Sequence, residues 1–435
     1  MGEIQVIKST PYWWDKSTFP QVPDQETFPR EVDILIVGSG LTGLSAARTA
    51  AKAGRSVLVV DQNQLGYGAS SRNGGMLGGG HRLSISQMQE RYGKKIALGL
   101  LKEAHLDSAE FARTIMREEK IDCDYQQVGR FRGLWHSKEY ESAARELERL
   151  QKLLPIEASM LSREQQTQAL ASDLYRGGVI YRDHAAINPT KWLLGLLKSA
   201  VHHGAITQGN TEVTAIQQTS EGFLIKTSKG AIKADKVLLA TNGYTSTHLS
   251  ALRRRIFPIP SFIITTENLG TTLIKELFPT GMMIVESRAR HCYFRPSPDR
   301  ARIIFGARAA MFDAPETFVR AQLHKLLKQV FPQLGNINVS HSWRGNTGFA
   351  FEMMPHVGAI NGIWHAAGYS GNGITLAPWL GHKAALQMIG DPAGETAFSH
   401  SELKTRWWYH NRAWFLPFVD VAYRGRDFWN DWNRT

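Results

Sequence analysis

The chain has 435 residues, 43% hydrophobic and 21% charged, enough to bury a large core and to form two domains or one elaborate α/β body. No apolar run approaches the roughly 18 residues of a membrane-crossing helix, and the opening MGEIQVIKSTPYWWDK lacks the plan of a secretory leader. The two cysteines make neither a disulfide framework nor a metal cluster, which points to the cytoplasm, and the formal charge of +12 is scattered, densest at Arg253–Arg255. With no helix-turn-helix, zinc-finger or ribonucleoprotein pattern, a diffuse basic surface around an anionic cofactor is expected, with no nucleic acid partner and no metal.

Residues 1–30 are rich in proline and aromatics without periodicity and read as an extended arm. A strand over Asp33–Val37, a glycine-rich turn, a helix over Thr42–Ala53 ended by Gly54, and a strand over Arg55–Val60 make a βαβ unit. Its turn, Gly38-Ser39-Gly40-Leu41-Thr42-Gly43, is a G-x-G-x-x-G. The glycines serve a tight turn, backbone approach to a pyrophosphate and close helix–strand packing, and the phosphates sit at the helix N-terminus. Asp61, with Gln62 beside it, ends the second strand where a carboxylate accepts hydrogen bonds from a ribose diol. NAD and FAD both fit this far. The stretch GYGASSRNGG, Gly66–Gly75, separates them by adding a second backbone-rich loop along the cofactor toward its reactive ring, with Arg72 and Asn73 as its polar groups.

From about Gln87 to Leu154 the pattern is helical. A helix in NPTKWLLGLLKSAVHHG leads into strands TEVTAIQQ, GFLIKTSKG and AIKADKVLLAT, and further strands are expected in IPSFIITTEN, HCYFRPSPD and ARIIFGAR. A helix covers about Glu316–Val330, and a strand-then-helix unit in GIWHAAGYSGNGITLAPWLGHKAALQMIG closes the body. Five of the twelve tryptophans fall in the last thirty residues. That tail must pack on something: the body is expected, with peripheral membrane contact as the alternative. The histidines, His202, His203 and His291 included, read as ordinary helix, loop or core residues.

The two glycine motifs, followed in order by INPTKWLLGLL, LLATNGY, YFRPSPD, WRGN and GYSGNGITLAP, resemble the FAD-dependent D-amino-acid oxidase superfamily, whose signature joins G-x-G-x-x-G to a G-A-S-x-R-N-G-G loop. Within it the likeness is to the glycine/sarcosine oxidase-like branch, nearest the gamma-glutamylputrescine oxidase type. The resemblance implies an α/β fold: a Rossmann-like FAD-binding domain (31–90, 185–250 and 341–395) interleaved with an antiparallel-sheet substrate domain (91–184 and 251–340), with an aromatic tail (396–435) packing on the body. It implies that Gly68, Ala69, Ser70, Arg72, Asn73, Gly74, Gly75 and Met76 follow the cofactor and that Val213 lies against the adenine. Thr241 and Asn242 then turn beside the dinucleotide, and Gly371, Asn372, Gly373, Ile374 and Thr375 meet the flavin's pyrimidine edge. Relatives with covalent flavin use a cysteine after the W-x-G motif or a histidine in the glycine loop. NTGFAFEMMPHVG has no cysteine and the loop carries Arg72, so FAD is expected to be non-covalent.

The family's amino-acid oxidases clamp the substrate carboxylate with an arginine in W-x-G-x-R; here that register gives Thr347. A primary or secondary amine is therefore the expected substrate, with Tyr293, Tyr369, Arg295 and Met76 as pocket residues. Oxidases of the sarcosine type carry a lysine where this chain has Ile304. O2 is the expected acceptor; an electron carrier or quinone is the alternative. A non-enzymatic flavoprotein or a flavin-dependent RNA-modifying enzyme is a third reading.

Overall fold

The structure is a computed structural model that describes residues 7–19 and 29–432. The rest of the proposed arm (1–6 and 20–28) and residues 433–435 lie outside the described residues. Two eight-stranded sheets organise the chain. In the first, strand Glu31–Val37 ends in Ile34-Leu35-Ile36-Val37, a run of aliphatic residues buried on both faces, as a central parallel strand requires. It pairs in parallel with Val57–Val60 on one side, Val37 opposite Val60, and with Gly230–Leu239 on the other, Val37 opposite Leu239. Ile206–Gln208 extends one edge and Ile363–Ala367 with His356–Ile360 the other, while Val213–Thr219 and Gly222–Thr227 form an antiparallel ribbon beside Gly230–Leu239. Helices Leu41–Lys52, Pro189–His202 and Gly373–Ile389 share one hydrophobic core with this sheet.

The second sheet runs 339–350, 256–266, 303–307, 292–296, 283–286, 130–133, 178–181 and 158–161. It is antiparallel except for one parallel pair, 283–286 with 130–133. Helix Glu316–Val330 covers it with Val319, Leu323, Leu327 and Val330, spaced to lie along one face, over a core that includes Phe294, Phe305 and Phe331. The α/β class with interleaved parallel and antiparallel bodies is thus as expected. Residues 341–350, grouped by sequence with the cofactor body, instead belong to the long strand Val339–Ala350, which pairs with Ile256–Thr266 in the second sheet. That strand is the seam between the two bodies, so a local motif could not assign its side.

Two further expectations change. The arm is not simply extended: Tyr12–Asp15 is a helical turn, Trp13 is fully buried, and Lys8 bridges His341 at the edge of the second sheet. The tail packs on the body only in part. Tyr409 and Leu416 are buried with Phe257 and Phe349, whereas Trp407 is 85% exposed and Trp414, Phe418, Val421, Phe428 and Trp429 are also exposed. Helix Leu416–Trp432 turns Asp420 and Asp427 inward, paired with Arg424 and Arg290, and leaves aromatic residues outside. No helix among the described residues is long and apolar enough to cross a membrane.

Candidate active site

The glycine turn has the backbone that its residues demand. Gly38 has φ of +107°, and a Cβ on Gly43 would stand 1.9 Å from the Gly38 carbonyl oxygen, so the helix Leu41–Lys52 leaves the strand with no room for a side chain. The Ser39 amide and hydroxyl both donate to Asp61 Oδ2, at 2.9 and 2.7 Å, and the Asn63 amide donates to Oδ1 at 3.0 Å. Burial raises the Asp61 pKa, opposed by these three bonds. Ser39 Oγ also accepts from the Gly66 amide at 2.9 Å, and Ser70 Oγ accepts from the Leu41 amide at 3.0 Å, so both glycine loops are tied to one helix start.

Helix Gly373–Ile389 brings a second N-terminus to the same place. A Cβ on its Gly381 would lie 2.1 Å from Thr42 O, so the two helices touch backbone to backbone, and Ser45 Oγ donates to Pro378 O at 2.6 Å. At its start, Asn372 Nδ2 donates to Gly80 O, and Thr375 Oγ1 bonds both the Gly78 amide and carbonyl. Two helix N-termini with bare backbone around them suit an anionic dinucleotide and a ring that gains negative charge.

The second glycine loop is clamped from outside. Trp13 Nε1 donates to Asn73 O at 2.8 Å, Trp14 Nε1 to Ser71 Oγ at 3.2 Å, and Trp343 Nε1 to Arg72 O at 2.8 Å. The Arg72 guanidinium lies over Tyr67 and Trp14, 4.2 and 4.6 Å from the ring centres, and its Nε donates to Tyr67 O. The Asn73 amide donates to Ala69 O and Ser70 O and accepts from the Gly75 amide. Both residues, read from the sequence as ligand contacts, hold the loop in shape. The clamp itself was not visible, because nothing local links the arm's tryptophans to residues sixty positions away.

One cavity of about 1060 Å³ joins these parts. It is bordered by Gly38, Gly40, Leu41, Thr42, Asp61, Gln62, Gly68, Ala69, Ser70, Arg72, Asn73, Gly74, Met76, Val213, Thr241, Asn242, Gly371, Asn372, Gly373 and Ile374. Ser39, Gly43, Gly75 and Thr375 stand behind this wall and shape it.

Of the expected pocket residues, Met76, Tyr293 and Tyr369 border the cavity. The Tyr293 ring fills space left by Gly306 and Gly74, where added Cβ atoms would lie 2.3 and 3.2 Å from it. Its hydroxyl shares a 2.7 Å bond with Ser261 Oγ, and burial pushes its pKa up to about 12. Tyr369 turns its hydroxyl to Thr42 Oγ1 at 2.7 Å and to Ala366 O at 3.1 Å, bracing the helix start. Arg295 is placed otherwise than expected: it is buried, donates to Gly75 O at 2.7 Å and lies over Trp13, off the cavity wall. Strand alternation does set it on the same side as Tyr293, but the glycine loop covers it.

His291, read as an ordinary residue, borders the cavity, with its pKa lowered by burial and then by Arg308, Arg82 and Arg132. Arg82, Arg130, Arg132 and Arg308 border it too. Sequence reasoning missed these; the available signals were the first cation after the glycine loop and the cation closing ARIIFGAR. Glu286 is already held by Arg288, with Tyr175 donating to it at 2.9 Å. No lysine is among the described residues that border the cavity.

The family model for FAD dependent oxidoreductases (DAO) matches residues 33–386. The probable oxidoreductase OrdL of Rhizobium meliloti (strain 1021) is 29% identical over 386 residues, 87% of this chain and 88% of its own. The gamma-glutamylputrescine oxidoreductase of Escherichia coli (strain K12) is 29% identical over 372 residues, 85% of this chain and 86% of its own. Glycine oxidase from Geobacillus kaustophilus superposes with a TM-score of 0.70 at 21% identity, covering 87% of this chain and 99% of that one, which shows the shared fold. The family match, set on a two-helix cradle with no room for side chains, places the chain in the FAD dependent oxidoreductase (DAO) family.

Proposed function

We propose that this protein oxidises the carbon–nitrogen bond of a primary or secondary amine. The observation that carries the reading is the continuity of one cavity from the glycine cradle to the wall made by Tyr293 and His291. Likeness to a gamma-glutamylputrescine oxidoreductase supports an amine over other donors. Gly38, Gly40, Asp61 and the 371–375 turn would hold FAD, which when bound supplies the hydride acceptor. The α-carbon gives up a hydride, the nitrogen a proton, and water hydrolyses the resulting imine.

The chain's residues position and exclude. Gly74 and Gly306 leave room for the Tyr293 ring, whose hydroxyl is fixed by Ser261 and stays neutral at ordinary pH. A neutral His291 leaves that wall free to receive an uncharged amine. Non-covalent attachment is supported by Arg72 in the loop and by two buried thiols, Cys123 and Cys292, neither bordering the cavity. Free thiols also fit a cytoplasmic setting.

O2, reduced to H2O2, is the proposed acceptor. A second reading passes the electrons to a carrier or quinone, favoured by buried Ile304 in the lysine register and by the cavity's lack of lysine among the described residues. The test is the visible flavin band of the purified protein under anaerobic conditions, with gamma-glutamylputrescine, putrescine, N-methyl amino acids and D-amino acids added singly. Bleaching by an amine supports the reading, and its reversal on admitting air identifies O2. A band that no amine bleaches removes it.

A further inference from the structure

We propose that Arg82, Arg308 and Arg132 form a carboxylate-binding subsite in the cavity, so that the oxidised amine carries a remote anionic group; this deepens the amine reading above. The three cations come from separate segments: the stretch after the glycine loop, the end of strand Ile303–Ala307, and strand Arg130–Gly133. The guanidinium carbons of Arg82 and Arg308 both lie over one ring, 5.8 and 5.2 Å from the centre of Phe349.

Arg82 and Arg308 have no carboxylate partner among the described residues. Arg82 donates through Nε to Ser370 O, whereas the Arg308 guanidinium makes no hydrogen bond or ion pair among the described residues. Arg308, Tyr423 and Arg132 act on Arg82, and Tyr423 and Tyr293 on Arg308, with no carboxylate among them. Arg82 and Arg132 are exposed into the cavity and Arg308 is half-buried, so this cluster of like charges lies open to an incoming anion, and guanidinium forks match a carboxylate in shape and charge. The cofactor phosphates do not fill this role, since their cradle is the Gly38–Gly43 turn, whereas Arg308 borders the cavity together with Tyr293 and His291.

Arg82 also touches the turn at Gly371, where a Cβ would lie 2.8 Å from its Nη2, so Arg308 is the cleaner test. Calorimetry on the flavin-loaded protein would use glutarate, which cannot be oxidised at an amine, against 1,5-pentanediol. Wild type should bind glutarate and not the diol, more weakly at higher salt, and Arg308→Gln should weaken binding about thirtyfold or more with Arg308→Lys between them. In turnover, the preference for 4-(methylamino)butyrate over its amide should collapse in Arg308→Gln while the flavin band and thermal midpoint stay unchanged. Absent glutarate binding in wild type, or equal binding in Arg308→Gln, would overturn the subsite. Glutarate binding by a protein that oxidises no amine would uphold the subsite and remove the amine reading alone.

Discussion

The contact between the two cofactor helices gives the sharpest test, because one substitution should act with opposite signs at two helical glycines. Gly381 lies inside helix Gly373–Ile389 and Gly425 inside Leu416–Trp432. Replacing a mid-helix glycine by alanine favours the helix by about 1 kcal/mol. At Gly425 nothing lies within 4 Å of the new Cβ, so Gly425→Ala should keep most of that gain. At Gly381 the Cβ would stand 2.1 Å from Thr42 O and 2.9 Å from Thr42 C, both backbone atoms of a buried helix start. The helices must separate by more than 1 Å, and such overpacking costs about 1–3 kcal/mol or more. A net loss of up to about 2 kcal/mol follows for Gly381→Ala, a fall of roughly 1–2 °C in the thermal midpoint at this chain length. The same shift moves the Leu41–Gly43 backbone, so flavin should also wash out faster on dialysis. Scanning calorimetry and the ratio of flavin to protein absorbance measure the two effects. If both alanine variants raise the midpoint, the close helix contact does not govern this region and the reasoning fails.

Gly40→Val should abolish flavin retention in a folded protein, since even a Cβ there meets Ser70 Oγ at 3.0 Å; a fully yellow variant would exclude the cradle as the dinucleotide site. Tyr293→Phe leaves the ring and drops the bond to Ser261, so flavin should be kept while kcat or KM for a good amine changes several-fold. Unchanged kinetics would remove Tyr293 from the substrate wall. Glu119 links acid stability to the helix Leu41–Lys52: burial acts to raise its pKa, but bonds to His203, Arg48 and Ser199 hold it at about 2, below its ordinary value of 4.5. A depressed carboxylate stabilises the fold above pH 4.5 and loses that contribution as the pH falls toward 2. The stability gap between wild type and Glu119→Gln should therefore be flat above pH 5 and shrink in acid; a gap constant down to pH 3 would contradict the assignment.

The cofactor cradle was legible because its causes are local. A Cβ on Gly43 would collide with the nearby Gly38 carbonyl, Gly38 itself takes a positive φ, and buried strands flank the turn at readable spacing. Tyr293 was legible in another way, through the resemblance of YFRPSPD to the family's pocket strand. Long-range partners decided the rest. Arg295 and Tyr293 share a face, yet one meets the cavity and the other the underside of the glycine loop. Arg82, Arg132 and Arg308 converge from segments up to 226 positions apart, which no window on the sequence joins. The tail was read by the rule that tryptophan seeks cover, but Asp420 and Asp427 take the inner face through ion pairs and push the aromatic residues outward.

The order in which the chain leaves the ribosome has a consequence for when the cofactor can be acquired. The strand that carries Gly38 is flanked by residues 230–239, which are in turn bordered by 363–367, and the second helix N-terminus of the cradle begins only at Gly373. Its first loop is therefore made almost at the start of synthesis and is soon flanked on one side by Val57–Val60, but the second helix start follows only after more than three hundred residues of elongation. The complete FAD cradle therefore exists only when nearly all of the polypeptide is present, so shortage of the cofactor should let chains reach full length before the ligand adds its stabilisation.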